Sequence, residues 1–405
     1  GIVLDRVRST GDIVAVVYAE SETAAEQGIQ ALKVEYEPLP AVFTPQAAAA
    51  PDAPQVHESG NLCHSAFLKR GDAEAAFSSA AVVAAGEFTT PFVDHAFLEP
   101  EAGIAYPAED GGVVLEIGTQ CPFDDRKQMA EALGFPVEKI RVRQLPMGGA
   151  FGGREDIGLH LVLVLGALVS GKPVKITLTR EESLRGHPKR HPAWMRYKIA
   201  ADAAGKLQAV QAEIDTDTGA YASLGIDILE NMLTFGAGPY YVPNVDLVAR
   251  AWYTNNLQAG AMRGFGVPQV AFAVEALIDE IARKLGQDPF EFRLNNALDV
   301  GLPLASDHVL EASVGIKATL TAARDALAQV DLSRDGKKIG VGVASSLKNI
   351  GFGHGAVEEA GALVELNLDG TFLVRVGLAD FGQGAFTAMA QLAAHQLGAR
   401  IDQVQ

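Results

Sequence analysis

Met147-Gly-Gly-Ala-Phe-Gly-Gly-Arg-Glu-Asp156 is the most informative stretch of this sequence, because four of the six residues from 148 to 153 are glycine. Glycine lets the backbone approach a ligand closely and adopt conformations that strain other residues. The apolar run behind it, residues 157–169, predicts a buried helix. Glycine-rich backbone at a helix N-terminus exposes N–H groups at the positive end of the helix dipole. The stretch therefore predicts an anion-binding site.

The spacing of these glycines excludes two common nucleotide-binding motifs. A Walker loop needs G-x-x-x-x-G-K-[ST], but Gly153 is followed by Arg154 and Glu155. Those residues offer no hydroxyl for magnesium, and they place a carboxylate where phosphate charge would collect. No register supplies the G-x-G-x-x-G of dinucleotide-binding folds. What remains is a backbone cradle with a phenylalanine at its tip and a glutamate close behind.

Composition narrows the class of protein further. The 405 residues, 48% apolar and 20% charged, predict two or three globular domains. A net charge of −17 argues against nucleic-acid binding. The only cysteines, Cys63 and Cys121, are too few for a disulfide framework, a structural zinc site or a four-thiolate iron–sulfur cluster. The apolar run at 157–169 is too short to cross a membrane, and no signal peptide is visible, so we expect a cytoplasmic protein.

Local patterns predict mixed helices and strands. Predicted strands are 11–18, 33–37, 82–89, 113–118, 139–144, 173–179, 194–202, 207–217, 246–254, 339–346, 361–368 and 371–379. Predicted helices are 22–32, 123–133, 157–169, 224–235, one from the loop at 263–266 to Leu285, a short one after Asp288, 314–329, and one after Gly384. Residues 38–60 resemble a linker, and 299–313 a domain boundary.

Glycine-rich loops recur at 147–153, 263–266 and 382–384. We expect each to lead from a strand into a helix. One such loop would be weak evidence of a binding site. Three in one chain indicate an extended ligand that is held mostly by backbone.

Five stretches resemble a known family. They are Gly118-Thr-Gln-Cys121, Gly148-Gly-Ala-Phe-Gly-Gly-Arg-Glu155, Ala261-Met-Arg-Gly-Phe-Gly266, Asp288-Pro-Phe-Glu-Phe-Arg-Leu-Asn-Asn296 and Asp380-Phe-Gly-Gln-Gly384. In order and approximate spacing they resemble the molybdenum-binding subunit of the xanthine dehydrogenase and aldehyde oxidase (molybdenum hydroxylase) family. The resemblance covers nearly the whole chain.

The resemblance implies an α+β fold made of mixed α/β molybdopterin-binding domains. Residues 1–45 would be the remnant of a small α/β (hammerhead) domain, 60–305 the first molybdopterin-binding domain, and 311–405 the incomplete start of the second. It also implies a molybdenum–molybdopterin cofactor, in a cytosine dinucleotide form. The [2Fe–2S] clusters and FAD are then expected on partner subunits, an iron–sulfur subunit and an FAD subunit, since this chain lacks the cysteines for such clusters.

The resemblance carries specific roles onto this sequence. Gln120 matches a glutamine beside the molybdenum oxo group, and Phe151 matches a residue whose backbone N–H faces that group. Arg263 and Gln383 match contacts to the pterin. The remaining expected cofactor contacts are Gly149, Gly152, Phe381 and Gly382. The molybdenum itself would be held through the pterin, with no direct protein ligand.

Four residues concern the substrate. Glu155 matches a glutamate that hydrogen-bonds the heterocycle in purine-hydroxylating members, whereas aldehyde-oxidising members carry an apolar residue there. Phe265 and Phe352 match two aromatic residues that sandwich a flat substrate. A family arginine that grips purines falls at Asn231, which weakens the expectation of xanthine itself. For the two phenylalanines the structural alternative is core packing, and for Glu155 it is stabilisation by a helix dipole.

Other observations limit the prediction. The family's catalytic base is a glutamate that lies further toward the C-terminus than residue 405, so we expect a fragment or a split subunit. The favoured function is hydroxylation of an aromatic N-heterocycle, purine-like or nicotinate-like, with water as oxygen source. The alternatives are an aldehyde oxidoreductase and a cofactor-holding module that is inactive without a complementing chain. The histidines of His187-Pro-Lys-Arg-His191 are expected in a charged surface loop, because Pro188 disfavours a metal-binding helix.

Overall fold

The computed structural model describes residues 2–3, 5–333, 336, 338–351 and 359–405. The strands, in chain order, are β1 (Leu62–Arg70), β2 (Val82–Thr90), β3 (Ala102–Pro107), β4 (Val113–Ile117), β5 (Ile140–Gln144), β6 (Val174–Thr177), β7 (Ala193–Ala201), β8 (Leu207–Gly219), β9 (Asn244–Tyr253), β10 (Ala362–Leu366) and β11 (Phe372–Val376). The helices are α1 (Glu22–Ala31), α2 (Pro45–Ala48), α3 (Ala73–Ser79), α4 (Pro122–Leu133), α5 (His160–Ser170), α6 (Arg180–Gly186), α7 (Gly225–Thr234), α8 (Val267–Leu285), α9 (Pro289–Asn296), α10 (Ile316–Leu327) and α11 (Ala385–Leu397). Short 3₁₀ turns occupy Val137–Lys139 and Ile401–Gln403.

A five-stranded sheet of order β1-β9-β8-β7-β2 carries the largest core. Adjacent strands within this sheet are antiparallel, except β8 and β9, which run parallel. The predicted hairpin of 194–202 and 207–217 is confirmed, with Trp194 opposite Asp215. Helices α7 and α8 pack on this sheet and bury Leu229, Ile278 and their apolar neighbours. The burial of this apolar area is what fixes the two helices, and with them the loop that joins β9 to α8.

A four-stranded sheet of order β5-β4-β3-β6 forms the second layer system, with α4 and α5 packed on it. Strands β4 and β5 are its parallel pair, and Ile117 lies opposite Gln144 at their carboxyl ends. Parallel strands end at the same edge of a sheet. Residues 118–121 and the first glycine loop therefore leave the sheet side by side.

The N-terminal prediction is wrong in part. Helix α1 forms with Ser21 as its N-cap, as predicted. The strands expected at 11–18 and 33–37 do not form. Among the described residues of this N-terminal segment, the β-pairing found is an isolated bridge between Ile2 and Ile13. A strand requires a hydrogen-bonded neighbour, and apolar alternation alone does not supply one.

The predicted linker at 38–60 is also wrong. Val42, Ala48 and Val56 are buried against Trp252 and Tyr253, and the short helix α2 lies between them. Alanine and proline can pack where their small side chains fit a sheet surface, so composition alone misleads here.

The C-terminal part combines correct and incorrect predictions. The β10–β11 hairpin and helices α10 and α11 form, whereas residues 339–346 are irregular rather than a strand. The sequence patterns also missed β1, α3, β3 and α6. No helix within the described ranges is both long and apolar enough to cross a membrane.

Candidate active site

The three glycine loops meet around one cavity of about 890 Å³, here called the central cavity. The convergence that the sequence predicted is confirmed. The cavity is lined by Gln120, Met147, Gly148, Gly149, Phe151, Gly152, Glu155, Asn231, Ala261, Met262, Arg263, Gly264, Phe265, Lys348, Gly351, Phe381, Gly382 and Gln383. Much of this wall is backbone, as expected for a site that grips an extended polar ligand.

The first glycine loop is held against the second by main-chain contacts. Gly152 has φ +99°, and a Cβ built there would lie 2.8 Å from the carbonyl oxygen of Ala261. The N–H of Arg263 donates to the carbonyl of Phe151 over 2.8 Å. Phe151 itself has φ 55°, a conformation that costs a residue with a side chain about 1–2 kcal/mol. Such strain at a cavity wall is typical of a site that fixes backbone groups toward a ligand.

A buried arginine anchors the same loop from behind. Arg154 is 7% exposed and its Nη2 lies 3.0 Å from the carbonyl of Glu99 and 3.2 Å from its Oε1. The same carboxylate holds the loop directly, because the N–H of Gly148 donates to Glu99 Oε1 over 2.7 Å. The buried charge of Arg154 is thus compensated by the partly exposed carboxylate of Glu99.

The third loop joins the cavity from the C-terminal part of the chain. Gly382 has φ +106°, and a Cβ there would lie 3.1 Å from the backbone nitrogen of Gly149. Gln144, at the end of β5, donates its Nε2–H to the carbonyl of Asp380 over 2.8 Å. The two parts of the chain therefore contact each other at the cavity.

One part of the prediction needs correction: the first loop does not lead directly into a helix. Helix α5 begins at His160, and residues 151–156 form turns and bends. Asp156 accepts hydrogen bonds from Ser223 Oγ (2.7 Å) and Gln258 Nε2 (3.0 Å), which pin the chain away from the cavity. The first residues of α5 are not among the described residues that line the central cavity.

Gln120 connects two of the predicted site residues. Its Oε1 accepts from the N–H of Gly152 over 3.0 Å, and its Nε2 donates to Glu155 Oε1 over 3.1 Å. Its own N–H donates to the carbonyl of Arg154. The amide is therefore fixed in orientation at the cavity wall by the loop that it faces.

Glu155 is a half-buried carboxyl group in the central cavity. Burial, with a smaller contribution from the neighbouring charge of Asp156, raises the pKa of Glu155 to about 7, although the hydrogen bond from Gln120 opposes the shift. At neutral pH the group is therefore divided between its protonated and ionised forms. It can donate a hydrogen bond as well as accept one, which an ordinary surface glutamate cannot do.

The other predicted residues differ in how they are held. Arg263 is exposed to the cavity, and none of the described residues hydrogen-bonds its guanidinium. The amide of Gln383 is used within its own loop, where it accepts from the N–H of Phe381 and donates to the carbonyl of Ala379. Phe265, half-buried at φ 49°, lines the cavity and packs on the main core. Phe352 lies outside the described residues.

Two further polar residues line the cavity, Asn231 and Lys348. Asn231, on α7, is 5% exposed and lies in the cavity wall. Lys348, which sequence analysis missed, follows the segment wrongly predicted as a strand. The sequence could have indicated Lys348 as a site residue, because it is a single charge directly after the apolar and small residues Val341-Gly-Val-Ala-Ser-Ser-Leu347.

His187 and His191, which were expected in a surface loop, are buried instead, at 5% and 1% exposure. His187 also packs against a third buried histidine, His95. His187 Nε2 donates to the carbonyl of Gly153 over 2.9 Å, and His95 Nε2 to that of Ala261 over 2.7 Å. Both nitrogens must carry the proton, because a carbonyl only accepts. The two rings meet edge to face, 4.8 Å between centroids. This pair therefore ties the first and second glycine loops together behind the cavity.

Acid should loosen this arrangement. Burial lowers the pKa of His187 and of His95 to about 4 each. An unfolded histidine takes up a proton near pH 6.5, so between pH 6.5 and 4 the unfolded chain binds more protons and stability falls on acidification. We expect His187→Gln to flatten the fall in melting temperature over this range, whereas the exposed control His308→Gln leaves it unchanged. An identical fall in wild type and His187→Gln would contradict the account.

Direct metal ligation and thiol chemistry find little support in the described residues. No group of three or more His, Cys, Asp or Glu side chains among them could hold a metal ion. Cys63 and Cys121 are free. Burial and nearby carboxylates raise the pKa of Cys121 to about 12, so its thiol is protonated at neutral pH and a poor nucleophile.

Comparison with known proteins identifies the family. A family model described as a molybdopterin cofactor-binding domain matches residues 56–297, and a second of the same description matches residues 316–405. A probable xanthine dehydrogenase subunit of Bacillus subtilis (strain 168) is 37% identical over 405 residues, 99% of this chain and 54% of that protein. The nicotinate dehydrogenase large molybdopterin subunit of Eubacterium barkeri is 40% identical over 329 residues, 81% of this chain and 77% of that protein.

The fold agrees with that assignment. The solved structure of the aldehyde oxidoreductase from Desulfovibrio desulfuricans ATCC 27774 superposes with a TM-score of 0.89 at 28% identity, covering 96% of this chain and 44% of that one. The chain belongs to the xanthine dehydrogenase and aldehyde oxidase family and carries its molybdopterin cofactor-binding domains. It spans about half the length (54%) of the Bacillus subtilis relative.

Proposed function

We propose that this chain is the molybdopterin-binding catalytic part of a hydroxylase that oxidises an aromatic N-heterocycle. The overall reaction converts a ring C–H and water into a ring C–OH, and releases two electrons and two protons. The observation that carries the proposal is Glu155, a carboxyl group in the central cavity whose burial raises its pKa to about 7. Such a group can hydrogen-bond a ring nitrogen, which an aldehyde group does not possess.

The cofactor would be held mainly by backbone. The main chain of Gly149, Phe151 and Gly152, with that of Gly382, lines the cavity with little competing side-chain bulk. The fit is supported by the close packing at Gly149 and Gly382, where a Cβ would meet the Phe151 ring at 2.8 Å and the Gly149 nitrogen at 3.1 Å. When bound, the molybdenum centre supplies two-electron oxidation and hydroxylation with oxygen from water.

Side chains would complete the cofactor site. The Arg263 guanidinium offers a planar set of donors to the acceptor edge of a pterin. Phe381 and Gln383 would line the same side, with Gln383 also fixing the loop through its contact with the N–H of Phe381. Gln120, oriented by Gly152 and Glu155, would donate or accept near the molybdenum group.

The substrate would lie between Glu155 and aromatic faces. Phe265 offers one face at the cavity wall, and Phe352 is proposed as the other. Offset stacking on such rings favours flat substrates. No described residue is proposed as the catalytic base.

The wider assembly is also a proposal. Electrons would leave through [2Fe–2S] clusters and FAD on partner subunits, since only two cysteines, both free, occur in this sequence. Isolation of the native complex would show whether a second molybdopterin-domain chain is among the partners. Free thiols suit a reducing, cytoplasmic location. The cofactor would be in a cytosine dinucleotide form.

The second candidate is an aldehyde oxidoreductase, favoured by the structural similarity to the Desulfovibrio desulfuricans enzyme. The test is oxidation of a panel of N-heterocycles and aldehydes by the protein with its co-purifying subunits, in ¹⁸O-labelled water. Label in a hydroxylated ring product supports the proposal. Turnover of aldehydes alone would favour the second candidate, and cofactor content without any turnover would favour a cofactor-holding module.

Removing Arg263 should reduce the cofactor rather than the fold. We expect Arg263→Ala to lower molybdenum and pterin content several-fold. The substitution removes a planar set of donors that hydrogen-bond no described residue and are therefore free to contact the cofactor. Arg283→Ala, an exposed substitution near the end of α8, is the matched control. Unchanged cofactor content in Arg263→Ala would refute the assignment.

A further inference from the structure

Lys348 places an ammonium group at the wall of the central cavity with no acidic partner among the described residues. The group is half-buried, and no carboxylate of a described residue lies within ion-pair distance of it. Its polar contacts are neutral: Nζ donates to Asn349 Oδ1 over 2.6 Å and to the Asn349 carbonyl at 3.3 Å. Burial alone lowers the pKa of Lys348. A partly desolvated cation of this kind is stabilised by an anion.

The charge balance of the cavity favours an anionic ligand. Among the described lining residues the charged side chains are Glu155, Arg263 and Lys348. Burial raises the pKa of Glu155 to about 7, so its negative charge is only partly present at neutral pH. The described part of the cavity wall therefore carries a net positive charge, within a chain whose net charge is −17. A locally positive pocket in an acidic protein concentrates small anions.

The surroundings of Lys348 point to the substrate rather than the cofactor. Its Nζ lies 6.0 Å from the centroid of the Phe265 ring, the surface on which we propose that the substrate stacks. Asn231 lines the same cavity at 5% exposure, and its amide has no hydrogen-bond partner among the described residues. An amide donor and an ammonium donor that line one cavity together with an aromatic ring suit a flat ring that carries a carboxylate.

We propose that Lys348 is a specificity-determining residue that binds a carboxylate on the heteroaromatic substrate, so that the substrate class is N-heteroaromatic carboxylates. This inference rests on the proposed function of the central cavity. Asn231 contributes a neutral donor to the same ligand. Neither residue takes part in the oxidation itself.

The test compares charged and neutral rings of the same shape. Pyridine-3-carboxylate and quinoline-3-carboxylate are measured beside their carboxamides, with the protein isolated together with its native subunits. Equilibrium binding by calorimetry is measured first, because it does not depend on turnover. The variants are Lys348→Gln, Lys348→Arg and the exposed control Lys338→Gln.

We expect the wild type to bind at least one acid about 10- to 100-fold more tightly than its amide, as the loss of a charge-assisted hydrogen bond implies. Lys348→Gln should remove that preference, and Lys348→Arg should retain most of it. Amide binding and molybdenum content should stay within about twofold of wild type, since neither needs the charge. In turnover, Lys348→Gln should raise KM for the acid more than it lowers kcat.

Three results would overturn the inference. The first is equal binding of acid and amide by the wild type. The second is no measurable binding of either acid. The third is a Lys348→Gln variant that loses cofactor while its acid preference persists, which would assign the ammonium to an anionic group of the cofactor. A wild type that prefers the acid but oxidises no ring would leave the carboxylate site intact and refute the hydroxylase function instead.

Discussion

Glu155→Gln should lower kcat/KM for N-heterocycle oxidation by about 100-fold, while molybdenum and pterin content stay at the wild-type level. The carboxyl group lies in the cavity with a pKa of about 7, and as a protonated acid it can donate to a ring nitrogen. An amide keeps the shape but donates more weakly and cannot share a proton. Because the donating form is the protonated one, the wild-type kcat/KM should include a limb that falls as pH rises through about 7. The variant should lack that limb.

The exposed substitution Glu109→Gln is the matched control for the loss of one negative charge. Glu155→Asp is informative as well, since it retains an acid but shortens its reach. If Glu155→Gln loses cofactor and activity in equal proportion, the residue serves the architecture of the loop rather than the substrate. Retention of full activity with heterocycles would refute its role altogether.

Gly152→Ala should reduce molybdenum occupancy at least tenfold. The added Cβ would lie 2.8 Å from the Ala261 carbonyl oxygen and 3.0 Å from the Met262 Cα, which are backbone atoms and cannot rotate away. The φ of +99° adds a conformational cost for any L side chain. Together these effects destabilise the packed arrangement of the first and second loops by about 2–5 kcal/mol. The first loop therefore moves away from the second. Inductively coupled plasma mass spectrometry of the purified protein measures the result.

Gly158→Ala provides the comparison within the same segment, because a Cβ there meets no atom within 4 Å and its φ is not in the left-handed region. It should leave molybdenum content unchanged. Far-UV circular dichroism of Gly152→Ala should match the wild type, so that the loss is local to the cavity. Full cofactor content in Gly152→Ala would mean that the contact between the loops is dispensable.

The glycine loops could be predicted because their chemistry is local. A run such as Gly148 to Gly153 has few uses besides close backbone approach, and its place after a strand follows from the alternating pattern of Ile140–Gln144. That three such loops share one cavity followed from their number and from the resemblance to a family. Whether strands form at 11–18 and 33–37 could not be predicted from local patterns. A strand requires a hydrogen-bonded neighbour, and those patterns do not identify one.

Two features of the site depended on tertiary contacts that the sequence does not reveal. His187 looked like part of a charged surface loop, yet its Nε2 reaches the Gly153 carbonyl, 34 residues away. Lys348 follows a segment that was predicted as a strand, yet it lies near the ring of Phe265. In both cases the surroundings of the residue are formed by elements that lie far apart in the chain.

The most direct test of the central claim is metal analysis with pterin release on the protein purified from its native host together with its subunits. We expect molybdenum near one per chain, a pterin nucleotide in similar amount, and iron confined to a partner subunit. An intact native assembly that contains no molybdenum would contradict the account, and would leave the central cavity as a family architecture with a different ligand.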